Sequence, residues 1–388
     1  MKAASLGLAT LLYFGTGALP KVCAQAASAN FDELSSRATA ALQSDPKAAV
    51  DLYKQALALR PAWAEGWFYL AAGLYEIAHY PESRQAFQQA AKLAPDHGAV
   101  WSFLGLCEYQ LGDYAQALSD IRKGESLGLP DNPQFVSTVR NRAALIFLRS
   151  FDFGAAVEQL QPLARVGDNS PETIENLGIS ALGLRHLPAD LPAGKRPIVQ
   201  LAGRAMWALS AQRAEDASSL FHELITQYSQ EPGVHYLNGI YLLTLDPDAA
   251  LAEFRQELKI SPGHIPARLQ IGILEIKANR PENAIKLAGE AVEAEPANVL
   301  AHAVLGRAFL DVGQLDKAVP ELESAAKLAP ENPQMHFYLE QAYRRAGRNA
   351  DAQKEKLEFT RLRAAQDPLV LPDPGSANRA SSPTTVVR

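Results

Sequence analysis

Residues 301–330 read AHAVLGRAFLDVGQLDKAVPELESAAKLAP, and their last six, AAKLAP, stand also at residues 90–95. Identical residues that far apart call for a shared structural part. Written in rows of about 34 residues, the chain places Ala49, Ser83 and Ala117 in one column, which Ala250, Ala284, Ala318 and Ala352 continue in the second half. A second column holds Leu70, Leu104, Ile271, Leu305 and Leu339, with Ala71, Gly105, Gly272 and Gly306 directly behind it. A third holds Pro61, Pro95, Pro262, Pro296 and Pro330. A period of this length predicts a helix-turn-helix unit stacked on its neighbours.

Each column has a physical cause. Gly306 and Ala318 have almost no side chain, so the two helices of one unit can approach closely, while Phe309 and Leu322 fill the space beside the contact. Gly313 gives the turn between the helices a permissive backbone. Pro330 lacks an amide hydrogen and pushes Ala329 out of helical geometry, so the second helix stops there. AAKLAP is therefore the last turn of a second helix and its stop signal.

These columns resemble the tetratricopeptide repeat, over about residues 31–364. The clearest row matches the family pattern at Leu305, Gly306, Phe309, Gly313, Ala318, Leu322, Ala325 and Pro330. The resemblance implies an all-α fold, an alpha-alpha superhelix or solenoid of about nine helix pairs. One irregularity interrupts it. RHLPADLPAGKRP, residues 185–197, carries Pro188, Pro192 and Pro197, which cannot occupy a continuous helix. The helix before it begins well, with Ser170 as cap and Pro171 in its first turn, but is expected to have lost its partner. The rows thus predict an N-terminal array at 27–186, a Pro-rich loop and break at 187–197, and a C-terminal array at 198–364 ending in a charged capping helix.

The two ends read differently. Residues 1–26 have a lysine at position 2, an apolar run from Ala3 to Ala18 and the small residues Ala24 and Ala26 near a cleavage point, which is the order of a secretory signal. Cleavage is expected after Ala26, giving an exported, periplasmic protein of bacterial type. The alternatives are an uncleaved N-terminal membrane anchor, which the short apolar run disfavours, and a lipoprotein or outer-membrane association through Cys23. Residues 365–388 are rich in Pro, Ser and Thr without periodicity and are expected to be disordered. With Cys23 removed, Cys107 is the remaining cysteine, and its apolar helix predicts a small buried hydrophobe rather than a nucleophile.

The net charge of −6 and the lack of a basic stripe argue against nucleic acid. GESLG, Gly124 to Gly128, matches the nucleophile elbow of hydrolases and makes Ser126 a remote catalytic candidate, yet that elbow needs a preceding strand where a repeat helix is predicted. SDPK, Ser44 to Lys47, is read as a turn and helix start. No two of the eight histidines stand three to five residues apart as a zinc site needs. His302 and His336 share the repeat column of Trp67 and Trp101 and are read as packing residues. No Walker-type glycine loop is present. Neither cofactor, metal nor catalytic residue is expected, and the chain is read as no enzyme.

Surface remains. By resemblance, the first helices of such repeats line a concave groove, with positions two, five, six, nine, twelve and thirteen of each row facing it. These give Phe68, Tyr75, Tyr109, Asn141 and Arg149 in the N-terminal array, and Arg307, Gln341, Arg344 and Arg345 as a small basic cluster in the last two rows. Aromatics and arginine are over-represented among binding hot spots. Equally, Phe68 and Tyr75 would serve as packing residues between repeats. The Lys-Asn-Asn-Lys-Arg clamp by which some family members hold a C-terminal carboxylate is not reproduced. The expected function is a non-catalytic adaptor or scaffold of the bacterial cell envelope, binding a protein or peptide segment in the groove, with membrane contact only through an uncleaved N-terminus. The alternatives are a passive structural scaffold and a factor in envelope polysaccharide export or assembly.

Overall fold

The computed structural model describes residues 24–366, and the described elements are nineteen α-helices and two short 3-10 turns, with no strand among them. The cleavable leader expected at 1–26 and the tail expected at 365–388 lie outside the described residues, apart from the few that begin the first helix and end the last. Contacts divide the chain into two compact units between Ser229 and Gln230. The first contains α1 (Ala24–Ala41), α2 (Pro46–Leu59), α3 (Ala64–Glu76), α4 (Tyr80–Leu93), α5 (Gly98–Leu111), α6 (Tyr114–Leu127), α7 (Pro133–Arg149), α8 (Phe153–Arg165), α9 (Pro171–Ala181), α10 (Arg196–Ser210) and α11 (Ala214–Tyr228). The second contains α12 (Val234–Leu242), α13 (Pro247–Ile260), α14 (Ile265–Lys277), α15 (Pro281–Ala294), α16 (Val299–Asp311), α17 (Leu315–Leu328), α18 (Pro333–Arg345) and α19 (Asn349–Gln366).

Local chemistry sets the helix ends. Asp45 Oδ1 accepts from the Ala48 amide and Pro46 opens α2, so SDPK is a helix start. Ser170 likewise accepts from Thr173 N ahead of Pro171. Between first and second helices the chain passes through a residue at positive φ: Ala78, Gly112, Phe151, Gln212, Asn279, Gly313 and Gly347. That left-handed step lets the second helix fold back on the first.

Small residues meet where the columns put them. Ala49, Ser83, Ala117, Ala156, Ala250, Ala284 and Ala318 are fully buried. A Cβ added to Gly306 would lie 2.6 Å from Leu322 Cγ and 3.2 Å from the Ala318 carbonyl oxygen, so a larger side chain would force the pair apart. Gly105 stands in the same relation to the Ala117 carbonyl, at 2.7 Å.

The proline column does more than stop helices. Trp67 Nε1 donates to the Pro61 carbonyl at 2.8 Å and Trp101 Nε1 to that of Pro95 at 2.9 Å. In the second unit the same position uses other donors: an Arg268 guanidinium nitrogen to Pro262 at 2.6 Å, His302 Nε2 to Pro296 at 3.0 Å and His336 Nε2 to Pro330 at 2.9 Å. The other nitrogen of each histidine meets a carboxylate on the second helix, Glu321 or Glu355, at 2.6 Å. Each of these side chains clasps the stop signal before it to the helix pair that follows.

One expectation fails. Residues 187–197 interrupt the helices, with turns at Pro188–Asp190 and Ala193–Lys195, but α9 has not lost its partner. It packs on α10 much as the other first helices pack on their seconds. Added Cβ atoms on Gly178 and Gly203 would each come within 2.0 Å of the opposing backbone, at the Val199 and Ile174 carbonyl oxygens. Because α10 also carries α11, one helix serves two neighbours, and the Pro-rich stretch is a connection inside the first unit. At the other end, α19 buries Ala352 and Leu362 and sets Phe359 against Phe337 with ring centroids 5.5 Å apart and the planes tilted.

Candidate partner-binding surface

The residues expected in the groove separate by their place in the row. Phe68, at position five, is fully buried among Phe87 and Phe103, with ring centroids 5.6 and 5.4 Å away. Asn141, also at position five, is 1% exposed; its amide donates to Thr173 Oγ1 at 2.9 Å and its carbonyl accepts from Asn176 at 2.8 Å. Position five therefore faces the next first helix, and neither side chain is available to a partner. Tyr75 is 7% exposed and stacks edge-on with Tyr80 at 5.3 Å. Burial pushes its hydroxyl up to about 12, although the hydrogen bond from Gln110 works against the shift. It supports the surface from beneath.

Tyr109 at position twelve and Arg149 at position thirteen do reach solvent. Tyr109 on α5 is half-buried and Arg149 on α7 exposed. Between them the structure adds two residues, Gln110 and Arg142. Gln110 Nε2 donates to the Tyr75 hydroxyl at 3.3 Å. The Arg142 guanidinium lies 5.6 Å over the Tyr109 ring and pairs with Glu172 on α9. Arg149 lies 4.4 Å over Tyr114, itself edge-on to Tyr109 at 5.6 Å. Side chains of α3, α5, α7 and α9 thus form one strip of tyrosine, amide and guanidinium groups. Gln110 and Arg142 fall on positions thirteen and six of their rows, so the signal for both was in the sequence.

The strip rests on a buried polar layer. Asp168 accepts from Ser137 Oγ at 2.5 Å, Thr173 Oγ1 at 3.2 Å and Ser170 N at 2.9 Å. Burial alone would raise its pKa; these hydrogen bonds, that of Ser137 foremost, hold it below the ordinary carboxylate value. A cavity of about 550 Å³ opens in the same unit, lined by Asn169, Gln200, Arg204, Trp207, Asp216 and Glu223 among others.

In the second unit the expected basic cluster is divided. Arg307 is held by Asp311 at 3.0 Å and lies 5.6 Å over Tyr338. Arg345 donates to the Leu310 carbonyl at 2.9 Å. Gln341 and Arg344 do come together, lining a cavity of about 320 Å³ with Phe337, Glu340, Lys356 and Phe359, and Glu340 stands 3.6 Å from Arg344. The arginines are engaged singly instead of pooled: Arg307 and Arg344 each lie beside a carboxylate and Arg345 is hydrogen-bonded to a carbonyl.

The chemical candidates resolve into packing. Ser126 is exposed, its hydroxyl donating to the Lys123 carbonyl one turn back at 2.8 Å. Gly98 and Gly124 let α5 and α6 touch: a Cβ on Gly98 would be 2.1 Å from the Gly128 carbonyl oxygen, and one on Gly124 2.1 Å from Ser102 Oγ. Cys107 is buried against Ser83 Oγ at 3.1 Å, and burial pushes its thiol to about 12, so little reactive thiolate forms near neutral pH. Among the described residues no group of three or more His, Cys, Asp or Glu side chains could hold a metal ion, and no helix is long and apolar enough to cross a membrane.

Comparison with known proteins agrees with this helix-pair geometry. Models of the tetratricopeptide repeat family match residues 73–125 and 275–336. The chain carries tetratricopeptide repeats. A search of curated proteins finds no match. Among solved structures it is similar to MamA (41-end) from Desulfovibrio magneticus RS-1, at 26% identity and a TM-score of 0.39 over 43% of this chain and 95% of that one. It is also similar to MamA AMB-1, at 21% identity and a TM-score of 0.36 over 45% and 97% of the two chains.

Proposed function

We propose that this chain is a non-catalytic scaffold, exported to the bacterial cell envelope, that binds a protein or peptide segment along the first helices of its N-terminal unit. The observation that carries this reading is the strip Tyr109, Gln110, Arg142 and Arg149. It draws on several repeats, exposes aromatic and guanidinium groups, and stands on a hydrogen-bonded buried layer. Extended recognition surfaces of this kind are what stacked repeats offer, and tyrosine and arginine supply anchor energy at low entropic cost. Export is supported by the order of charged, apolar and small residues in 1–26.

Affinity capture tests the binding reading. Wild-type chain and a Tyr109→Ala, Arg142→Ala variant are compared on an envelope extract. A polypeptide recovered by the first should be lost by the second at an unchanged thermal midpoint. Equal recovery by both would refute the strip, and steady turnover of any substrate by the purified chain would refute the non-catalytic reading. Export is checked separately by sequencing the N-terminus of chain from a periplasmic fraction, where Ala27 should come first.

A further inference from the structure

The turns at positive φ use glycine at 112, 313 and 347, and alanine, glutamine or asparagine at 78, 212 and 279. After α7 the residue is Phe151, at φ 59°. A bulky side chain there crowds the following carbonyl and is a genuine outlier. Burial does not compensate, since the ring is 45% exposed. An exposed aromatic held in a strained turn is the kind of outlier from which a functional role is inferred.

Its surroundings indicate what it meets. The Arg185 guanidinium lies 4.8 Å over the Phe151 ring, and Phe153 is 6.3 Å away. Arg149, two residues earlier, is exposed over Tyr114. Among the described residues neither Arg149 nor Arg185 has a carboxylate within ion-pair distance. Asp152, beside the turn, accepts from Ala155 N at 3.0 Å, and Asp113, beside Tyr114, from Gln116 N at 3.3 Å, each capping a helix. The edge therefore offers a half-exposed aromatic ring with one uncompensated guanidinium over it and a second two residues before it in the chain.

We propose that Phe151, flanked by Arg149 and Arg185, is a docking point for a protein segment that carries an aromatic or large apolar side chain beside acidic residues. This rests on the protein-binding reading above and extends it from the first-helix face to the edge formed by the turns. The ring fills the partner's apolar contact, and each guanidinium offers paired donors to a carboxylate.

The test uses the full chain and a displayed library of short random peptides as probe. Enriched peptides should place Asp or Glu next to Trp, Phe or Leu. Their affinity should fall at least about tenfold in Phe151→Asn, which puts at 151 the residue type found at the equivalent turn position 279. The exposed-residue variant Arg149→Gln, Arg185→Gln should lose affinity similarly and lose its salt dependence, and it keeps the test valid if Phe151→Asn does not fold. Peptides without acids, equal binding by the variants, or binding of an oligogalacturonate in place of peptides would each overturn the proposal. If those results appear while capture through Tyr109 and Arg142 persists, this edge alone is refuted and the broader reading stands.

Discussion

Single residues decide how near two helices come. Gly178 and Gly203 are the strongest case, because an added methyl would run into backbone rather than a movable side chain. Gly203→Ala is expected to lower the unfolding free energy by about 1–3 kcal/mol, measured by urea titration; an unchanged midpoint would mean that α9 and α10 do not touch there. Glu108 makes a pH-dependent case. It is 3% exposed, and burial, then its hydrogen bond with Asp120, raises its pKa from 4.5 to about 8. Folded chain thus holds this proton more tightly than unfolded chain does, so the associated stability is full below pH 4.5 and is lost as pH rises through about 8. Thermal midpoints of wild type and Glu108→Gln at pH 5 and pH 8 check the sign. The wild type should lose on the order of several degrees more than the variant across that interval.

Helix pairs show how one role is filled by different chemistry. Trp67, Trp101, Arg268, His302 and His336 all donate to the proline carbonyl six residues before them. His336→Ala removes that bond and the one to Glu355, and should cost about 1–3 kcal/mol, whereas His336→Trp, the residue type of the first unit, should restore part of it; equal loss in both variants would contradict the clasp. The period, the small-residue contacts and the stop signals could be read directly from spacing, since each reflects interactions within one repeat. What could not be read was the partner of α9, because that contact spans the Pro-rich residues 187–197 and leaves no mark at the repeat period. Among binding positions, half-buried Tyr109 and exposed Arg149 were legible as side chains that reach solvent. Phe68 and Asn141 were not, because whether position five meets solvent depends on the distance to the next first helix.

The whole molecule consists of two compact units, each with its own buried alanine column and its own exposed polar groups. Stacked repeats gain stability chiefly from neighbouring elements, so a local defect should stay in its unit. Hydrogen exchange on Gly203→Ala is expected to show lowered protection within residues 24–229 and unchanged protection within 230–366; a uniform loss would contradict that division. The central claim is that the first-helix face of the N-terminal unit binds another polypeptide. Its most direct test is a photo-crosslinking residue placed at Tyr109, on that face, or at Lys92, exposed on the second helix α4. The account predicts a defined polypeptide adduct from position 109 and none from position 92; adducts from 92 alone, or to polysaccharide at 109, would contradict it.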